Sequence, residues 1–460
     1  MKQALFCMCA AGALFALGGV VSAADKPVTA TPATFSKDIA PILQEKCQEC
    51  HRPGSLAPMS LVTYEETRPW AKSIKLRVMT RQMPPWHIDK TVGVREFKND
   101  MSLSDEQIAT LVRWVDAGAP QGDPKDMPAP KKWPDANEWK AASELGPPDF
   151  VIKSEPYTMA AHHQDVWWRP VSDIPLTEAR WVRAVEMRPG SAAGRRIIHH
   201  AVAYLAQDDP ASVGPGTFDA DLSARAMLME WAVGKGYDLY RPNTGKLLLP
   251  GSQISWDVHI HAVGEEIRDH VELGVWLYPK GQEPKYRTYL TGFQALKGFQ
   301  SSTGSQTRAG RNIDIPPNSV VETNNYTVLK QAAILENFQP HMHLRGKAMS
   351  VEAILPDGST QMVSYVGNFN FNWMTNYIYA DEAAPAFPKG TLIHVTAWYD
   401  NTRANPNNPD PDQWVGFGDR TVDEMGHAWM NVTYISDEDY NAWAAQHKPT
   451  QQVASGKGAR

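Results

Sequence analysis

Residues 197–204 read Ile197-Ile198-His199-His200-Ala201-Val202-Ala203-Tyr204. Similar short apolar runs recur at 181–187, 270–278 and 392–399, and Gly, Pro and Asn separate them. Alternating runs bounded by turn residues predict antiparallel strands at the spacing of a β-sandwich. The pattern extends over residues 149–442. At this length it predicts two sandwiches, 149–290 and 291–442, followed by a polar tail at 443–460.

The same stretch carries the first of three histidine pairs. His199-His200 is followed by His259-Ile260-His261 in Trp256-Asp257-Val258-His259-Ile260-His261, and then by His341-Met342-His343 after Pro340. In a strand, side chains repeat every two residues, so His-x-His sets both imidazoles on one face. Two neutral imidazoles on one face make a chelate for copper or zinc. His199 and His200 are adjacent and point to opposite faces of a regular strand. They share one metal only if the strand ends or bulges there. A lone histidine in a β protein is more often a hydrogen-bonded packing residue, which is the reading for His270, His394 and His447. His162-His163 lies in a polar run and reads as surface. Asp257 is a candidate to orient a ligand imidazole.

Upstream, Cys47-Gln48-Glu49-Cys50-His51 is a C-x-x-C-H motif. Two thiols that add to haem vinyl groups, with a histidine beside them for the iron, predict a covalently bound haem c. A zinc half-site needs further ligands nearby and a redox dithiol needs a βαβ context, and neither pattern is present. The flanking sequence is helical. Residues 35–45 are amphipathic, and Ser104-Asp105-Glu106-Gln107 reads as an N-terminal cap for a helix over 108–117 that ends near Gly118. Residues 33–127 are thus expected to form a small all-α cytochrome c domain. Met83, in Arg81-Gln82-Met83-Pro84-Pro85-Trp86, is the candidate sixth ligand, with Met59, Met79 and His87 as rivals. Residues 128–148, rich in Pro, Lys and Asp, read as a linker.

At the start of the chain, Lys2, an apolar run over 4–21 and Val21-Ser22-Ala23 predict a cleaved signal peptide at 1–23, hence a periplasmic or secreted protein with no membrane span after cleavage. Of the four cysteines, Cys7 and Cys9 leave with the signal, so no disulfide framework is available. Sixteen Trp, 35 Pro and a net charge of −6 fit loop-rich β structure. There is no basic stripe, so nucleic acid is not an expected partner.

Taken in order, the motifs of residues 149–442 resemble the type II, ascorbate-dependent copper monooxygenases, the group of the peptidylglycine α-hydroxylating and dopamine β-monooxygenases. These motifs are His199-His200, Val258-His259-Ile260, His341-Met342-His343 and Asp423-Glu424-Met425. The resemblance implies an electron-transfer copper on His199, His200 and His259. It implies an oxygen-activating copper on His341, His343 and Met425, with the two sites facing each other across a cleft. Two imidazoles and a thioether suit Cu(I). It further implies two coppers per chain and C–H hydroxylation of a small-molecule substrate with dioxygen. The haem would feed electrons received from an external periplasmic donor. His261 and His427 are additional candidate ligands. Gln339 stands where the peptide-amidating branch has a substrate-binding arginine, which argues against peptide amidation, and Arg345 is a basic residue near the site. The alternative function is a copper and haem electron-transfer or sensing protein without oxygenase turnover.

Overall fold

The computed structural model describes residues 32–55, 57–133, 138–209, 211, 226–296 and 313–447. The expected signal peptide and residues 448–460 of the expected tail lie outside them. The described chain is mostly β-sheet with few helices.

Residues 32–127 are helical at the two stretches the sequence marks, near 35–45 and 108–117, and at a further, unexpected one. The chain enters through a π-helical turn, Phe35–Ile39, that runs straight into the helix Ala40–Lys46. Helices Ala71–Met79 and Asp105–Asp116 follow. Ser104 caps the last reciprocally: its hydroxyl accepts from the Gln107 N–H, and the Gln107 side chain accepts from the Ser104 N–H. Phe35, Ile39, Leu43, Leu111 and Trp114 are fully buried between these helices.

This unit is not self-contained. Residues 86–99 leave the helices and pack into the core of the second β half. Trp86, Ile88, Val94 and Phe97 join its apolar cluster. The Val94 N–H donates to the Val363 carbonyl and the Lys98 N–H to the Ile378 carbonyl. Lys98 also pairs with Asp381 at 2.7 Å. At Gly93 (φ +61°), a Cβ would lie 2.1 Å from the Val363 carbonyl oxygen, so only glycine permits this approach. The expected 33–127 boundary therefore needs correcting: apolar residues that read as part of the helical unit are claimed by the β core.

Two sandwiches share one sheet. An 11-stranded sheet passes from Val271–Leu277, Arg180–Pro189 and Thr244–Leu248 through Tyr286–Gln294 to His427–Ile435. In the first half it is faced by a five-stranded sheet built around Gln253–Ile260 and Ile198–Ala206. In the second half a four-stranded sheet built around Leu392–Asp400 and Gly346–Ile354 faces it. Val182, Val185 and Met187 meet Ala201, Ala203 and Leu205 in the first core. Met430 and Val432 meet Val351 and Val395 in the second.

The shared sheet moves other expected boundaries. Position 290 falls inside the strand Tyr286–Gln294, which pairs antiparallel with His427–Ile435 and parallel with Thr244–Leu248. A hydrogen-bonded ladder leaves no linker there. The end of the expected 128–148 linker is also structural. Ala141 is fully buried beside Ala184 and Trp276, and the Lys140 and Ala141 N–H groups donate to Glu186. The expected tail begins within the helix Asp437–Gln446, where Trp443 packs against the second core. Among the described residues no helix is long and apolar enough to cross a membrane.

Candidate metal centre

Alternation along two strands builds the first group. In Gln253–Ile260, the side chains of Ile254, Trp256, Val258 and Ile260 fill the first core, leaving His259 on the opposite face. In Ile198–Ala206, Ala201, Ala203 and Leu205 do the same and leave His200. The register shows how His199 joins it. His259 pairs with His200 but Ile260 pairs with Ile198, so His199 is the extra residue of a bulge. The required irregularity is therefore present. The Nδ1 atoms of His199 and His200 lie 3.3 Å apart, and the ring of His259 is 4.9 Å from that of His200.

Among the described residues, His199, His200 and His259 form a group of His, Cys, Asp or Glu side chains able to hold a metal ion, with ligand atoms all within 4.8 Å of one another. His259 is the best prepared of the three. Its Nε2 meets Asp165 at 2.9 Å and its ring is stacked on Trp167, while its Nδ1 is buried without a hydrogen-bond partner. A carboxylate behind a histidine fixes the tautomer and frees the other nitrogen for a metal. Desolvation holds all three imidazoles below the usual histidine range, His199 at about 3, so they are neutral. Asp165 was not legible as part of the site. Asp257, the sequence candidate for this role, instead pairs with Arg169.

The second group comes from the other half. His341 ends the strand Asn337–His341, and its ring lies 5.8 Å from that of His200 and 5.6 Å from that of His343. The His343 Nδ1 donates to the Asp423 carbonyl at 3.1 Å. Glu424, fully buried, accepts from the His343 and Arg345 N–H groups at 2.9 and 2.6 Å. The Asp423-Glu424-Met425 turn is thereby tied to the His-x-His turn, with Met425 next to Glu424 and half-buried. Burial pushes the Glu424 carboxyl up to about 8 against the pull of its two N–H donors. Glu424→Ala leaves both donors buried and unpaired, at about 1–3 kcal/mol each. The expected result is a drop in thermal midpoint that Glu424→Gln, which still accepts one bond, halves or better.

His427 is cross-strand to His341, rings 6.1 Å apart, and is buried against the same face. His261 is 6.5 Å from His199 by ring centroids and outside the close triad. Gln339 is fully buried and donates to Glu230 at 3.1 Å, and Glu230 in turn holds the buried Lys235. Arg345 does not face a site: it is buried and donates to Asn401 and the Val422 carbonyl. His270 and His394 are held by acidic neighbours, and His162 and His163 are exposed. The two groups adjoin, with the His200 and His341 rings 5.8 Å apart. Phe371 lies between them, stacked on His199 at 4.8 Å and edge-on to His343 at 6.2 Å.

Some distance along the chain, Cys47 and Cys50 are free thiols, and the His51 N–H donates to the Cys47 carbonyl, completing a turn. The His51 Nδ1 lies 3.3 Å from the Met59 carbonyl, a contact that leaves Nε2 unengaged by it. Burial and each other's proximity push the Cys47 thiol up to about 12, so it is a neutral thiol. Met59 packs on the helical core and Met79 is 56% exposed at a helix end. Met83 is half-buried and immediately precedes the segment locked onto the second β half.

No protein-family model matches the chain. No curated protein matches it either. Among solved structures, the chain is similar to the VP2 subviral particle of infectious bursal disease virus at 10% identity, covering 63% of this chain and 73% of that one with a TM-score of 0.17. It is similar to an allantoicase at 12% identity, covering 60% and 80% with a TM-score of 0.14. Likenesses this slight carry no argument.

Proposed function

We propose that this chain is an exported oxidoreductase that uses copper and a covalent haem c, and that it is a type II copper monooxygenase-like enzyme hydroxylating a C–H bond with dioxygen. The observation that carries the reading is the meeting of His199, His200 and His259 from one sandwich with His341 and His343 from the other. Five neutral imidazoles in ring-to-ring reach, three of them buried and two half-buried, suit copper.

The donor sets fit the groups. His199, His200 and His259 would hold one copper, and His341, His343 and Met425 the other. Cys47 and Cys50 would take the haem vinyl groups, with His51 and Met83 on the iron, in a helical cytochrome c-type unit. When bound, these metals supply one-electron redox chemistry and dioxygen binding. The protein's own contribution is geometric. Asp165 and Trp167 fix the His259 ring, and the Asp423 carbonyl fixes that of His343. Burial of His341 and His343 keeps water from these ligands, and desolvation holds His200, His341 and His343 unprotonated. Gln339, engaged by Glu230, offers no cation to a substrate carboxylate, which supports a substrate other than an anionic peptide end.

The test is elemental and spectroscopic analysis of the full chain exported from a haem-c-maturing host. One iron in a covalent haem and two coppers per chain are expected, with dioxygen uptake on reduction that Met425→Ala abolishes while three-imidazole copper remains. Protein carrying zinc alone, or no covalent haem, overturns the reading. Full turnover in Met425→Ala overturns its oxygenase part.

A further inference from the structure

One irregular segment touches both candidate redox regions. Residues 367–376 connect the strand Thr360–Val366 to Tyr377–Ile378. At one end, Phe371 contacts a histidine of each proposed copper group. At the other, the Tyr377 ring meets Trp86 edge-on at 4.8 Å, and its hydroxyl accepts from the His87 N–H at 3.1 Å. The Thr375 hydroxyl donates to the Pro85 carbonyl at 3.1 Å. Pro85 and Trp86 directly follow Met83-Pro84. The seven residues from Phe371 to Tyr377 thus lead from the loop of the candidate haem ligand to the histidines.

The half of the segment next to Tyr377 is packed and anchored. Met374, Thr375, Asn376 and Tyr377 are buried. The Met374 N–H donates to the Val233 carbonyl, and the Asn376 amide donates to Asp238 while its carbonyl accepts from Asn99. A second line of rings branches off: Tyr377 to Phe338 at 6.4 Å, on the strand that ends at His341. Electron tunnelling weakens exponentially with distance, least through covalent bonds, more through hydrogen bonds and most across empty gaps. A short covalent run with aromatic rings in contact at both ends is therefore the path that favours transfer.

We propose that residues 367–377 are the intramolecular electron route between the haem-bearing unit and the copper centres, with Phe371 and the Trp86–Tyr377 pair as its terminal contacts. This rests on the haem and copper reading above. Each passage moves one electron: ferrous haem is oxidised to ferric and Cu(II) is reduced to Cu(I). No bond is made or broken, and the external donor restores the haem. Phe371, Tyr377 and Trp86 are positioning residues, not ligands.

The test uses the anaerobic holoprotein with its haem reduced by a flash-generated deazaflavin semiquinone. The haem absorbance then reports its reoxidation by copper, with the Cu(II) electron paramagnetic resonance signal as the acceptor's record. Phe371→Leu and Trp86→Leu are each expected to slow this phase roughly tenfold, with copper content and haem potential unchanged. Thr375→Val slows it less, and Tyr326→Leu on the far sheet leaves it unaltered. If Phe371→Leu loses copper or fails to fold, Trp86→Leu and Thr375→Val decide. Unchanged rates in those variants, or no haem-to-copper transfer in a wild type carrying both metals, overturn the route. A wild type lacking haem or copper overturns the underlying reading, and the route with it.

Discussion

His200→Ala is expected to strip one copper from each chain and erase the signal of the three-imidazole centre, leaving the covalent haem intact. His200 is the hub of the arrangement. Its Nδ1 faces that of His199 at 3.3 Å, and its ring neighbours both His259 and His341. Alanine offers no donor, and no other His, Cys, Asp or Glu among the described residues stands within the close group to replace it. The second-sphere companion is Asp165→Asn. It keeps the shape but removes the charge that orients His259, and should weaken copper at this centre roughly 10–100-fold. Copper titration with a competing chelator measures both. Two retained coppers in His200→Ala would remove the triad from the mechanism.

The metal-free protein is expected to lose stability in mild acid. Burial drives the His343 imidazole from the usual 6.5 down to about 4 and His199 to about 3, and it lowers His200, His259 and His341 in the same direction. The unfolded chain binds protons from pH 6.5 downward, whereas the folded chain does not until pH falls through about 4. The contribution is therefore fully present above pH 6.5 and is lost as pH falls toward 4. For His343 the loss at pH 5 is about 2 kcal/mol. His199, His200, His259 and His341 shift in the same direction and add to this loss. Copper competes with the protons and binds only the folded state, so loading should move the acid midpoint downward. Circular dichroism against pH, with and without copper, checks this. A flat profile to pH 4 in the metal-free protein would mean that the imidazoles are solvated.

Composition and periodicity reached far into this molecule. The Ser104 cap and its helix are local interactions within four residues, and the structure has them as read. The strands around 181–187, 270–278 and 392–399 follow from alternation, again a local property. The need for a bulge at His199-His200 was legible too, because adjacent side chains in a regular strand diverge.

What the sequence could not carry is long-range. Asp165 lies 94 positions from His259 and meets it only because Val166–Trp168 pairs with the end of the Gln253–Ile260 strand. Asp257 looked better placed because it is near in sequence, but alternation aims it along the same face toward Arg169. Nothing local marks residues 86–99 as belonging to another core, since apolar residues do not declare which partner they will bury against. Nor does any local signal show Tyr286–Gln294 joining two sandwiches into one sheet, because a ladder depends on the register of distant strands. By itself, then, the sequence determined which side chains can bind metal and which faces of their strands they occupy, because those depend on residue type and a two-residue repeat. Only the tertiary structure decided that His200 and His341 meet, that Phe371 lies between the groups, and that the Met83 loop is bound to the same sandwich, because packing between distant segments sets those distances.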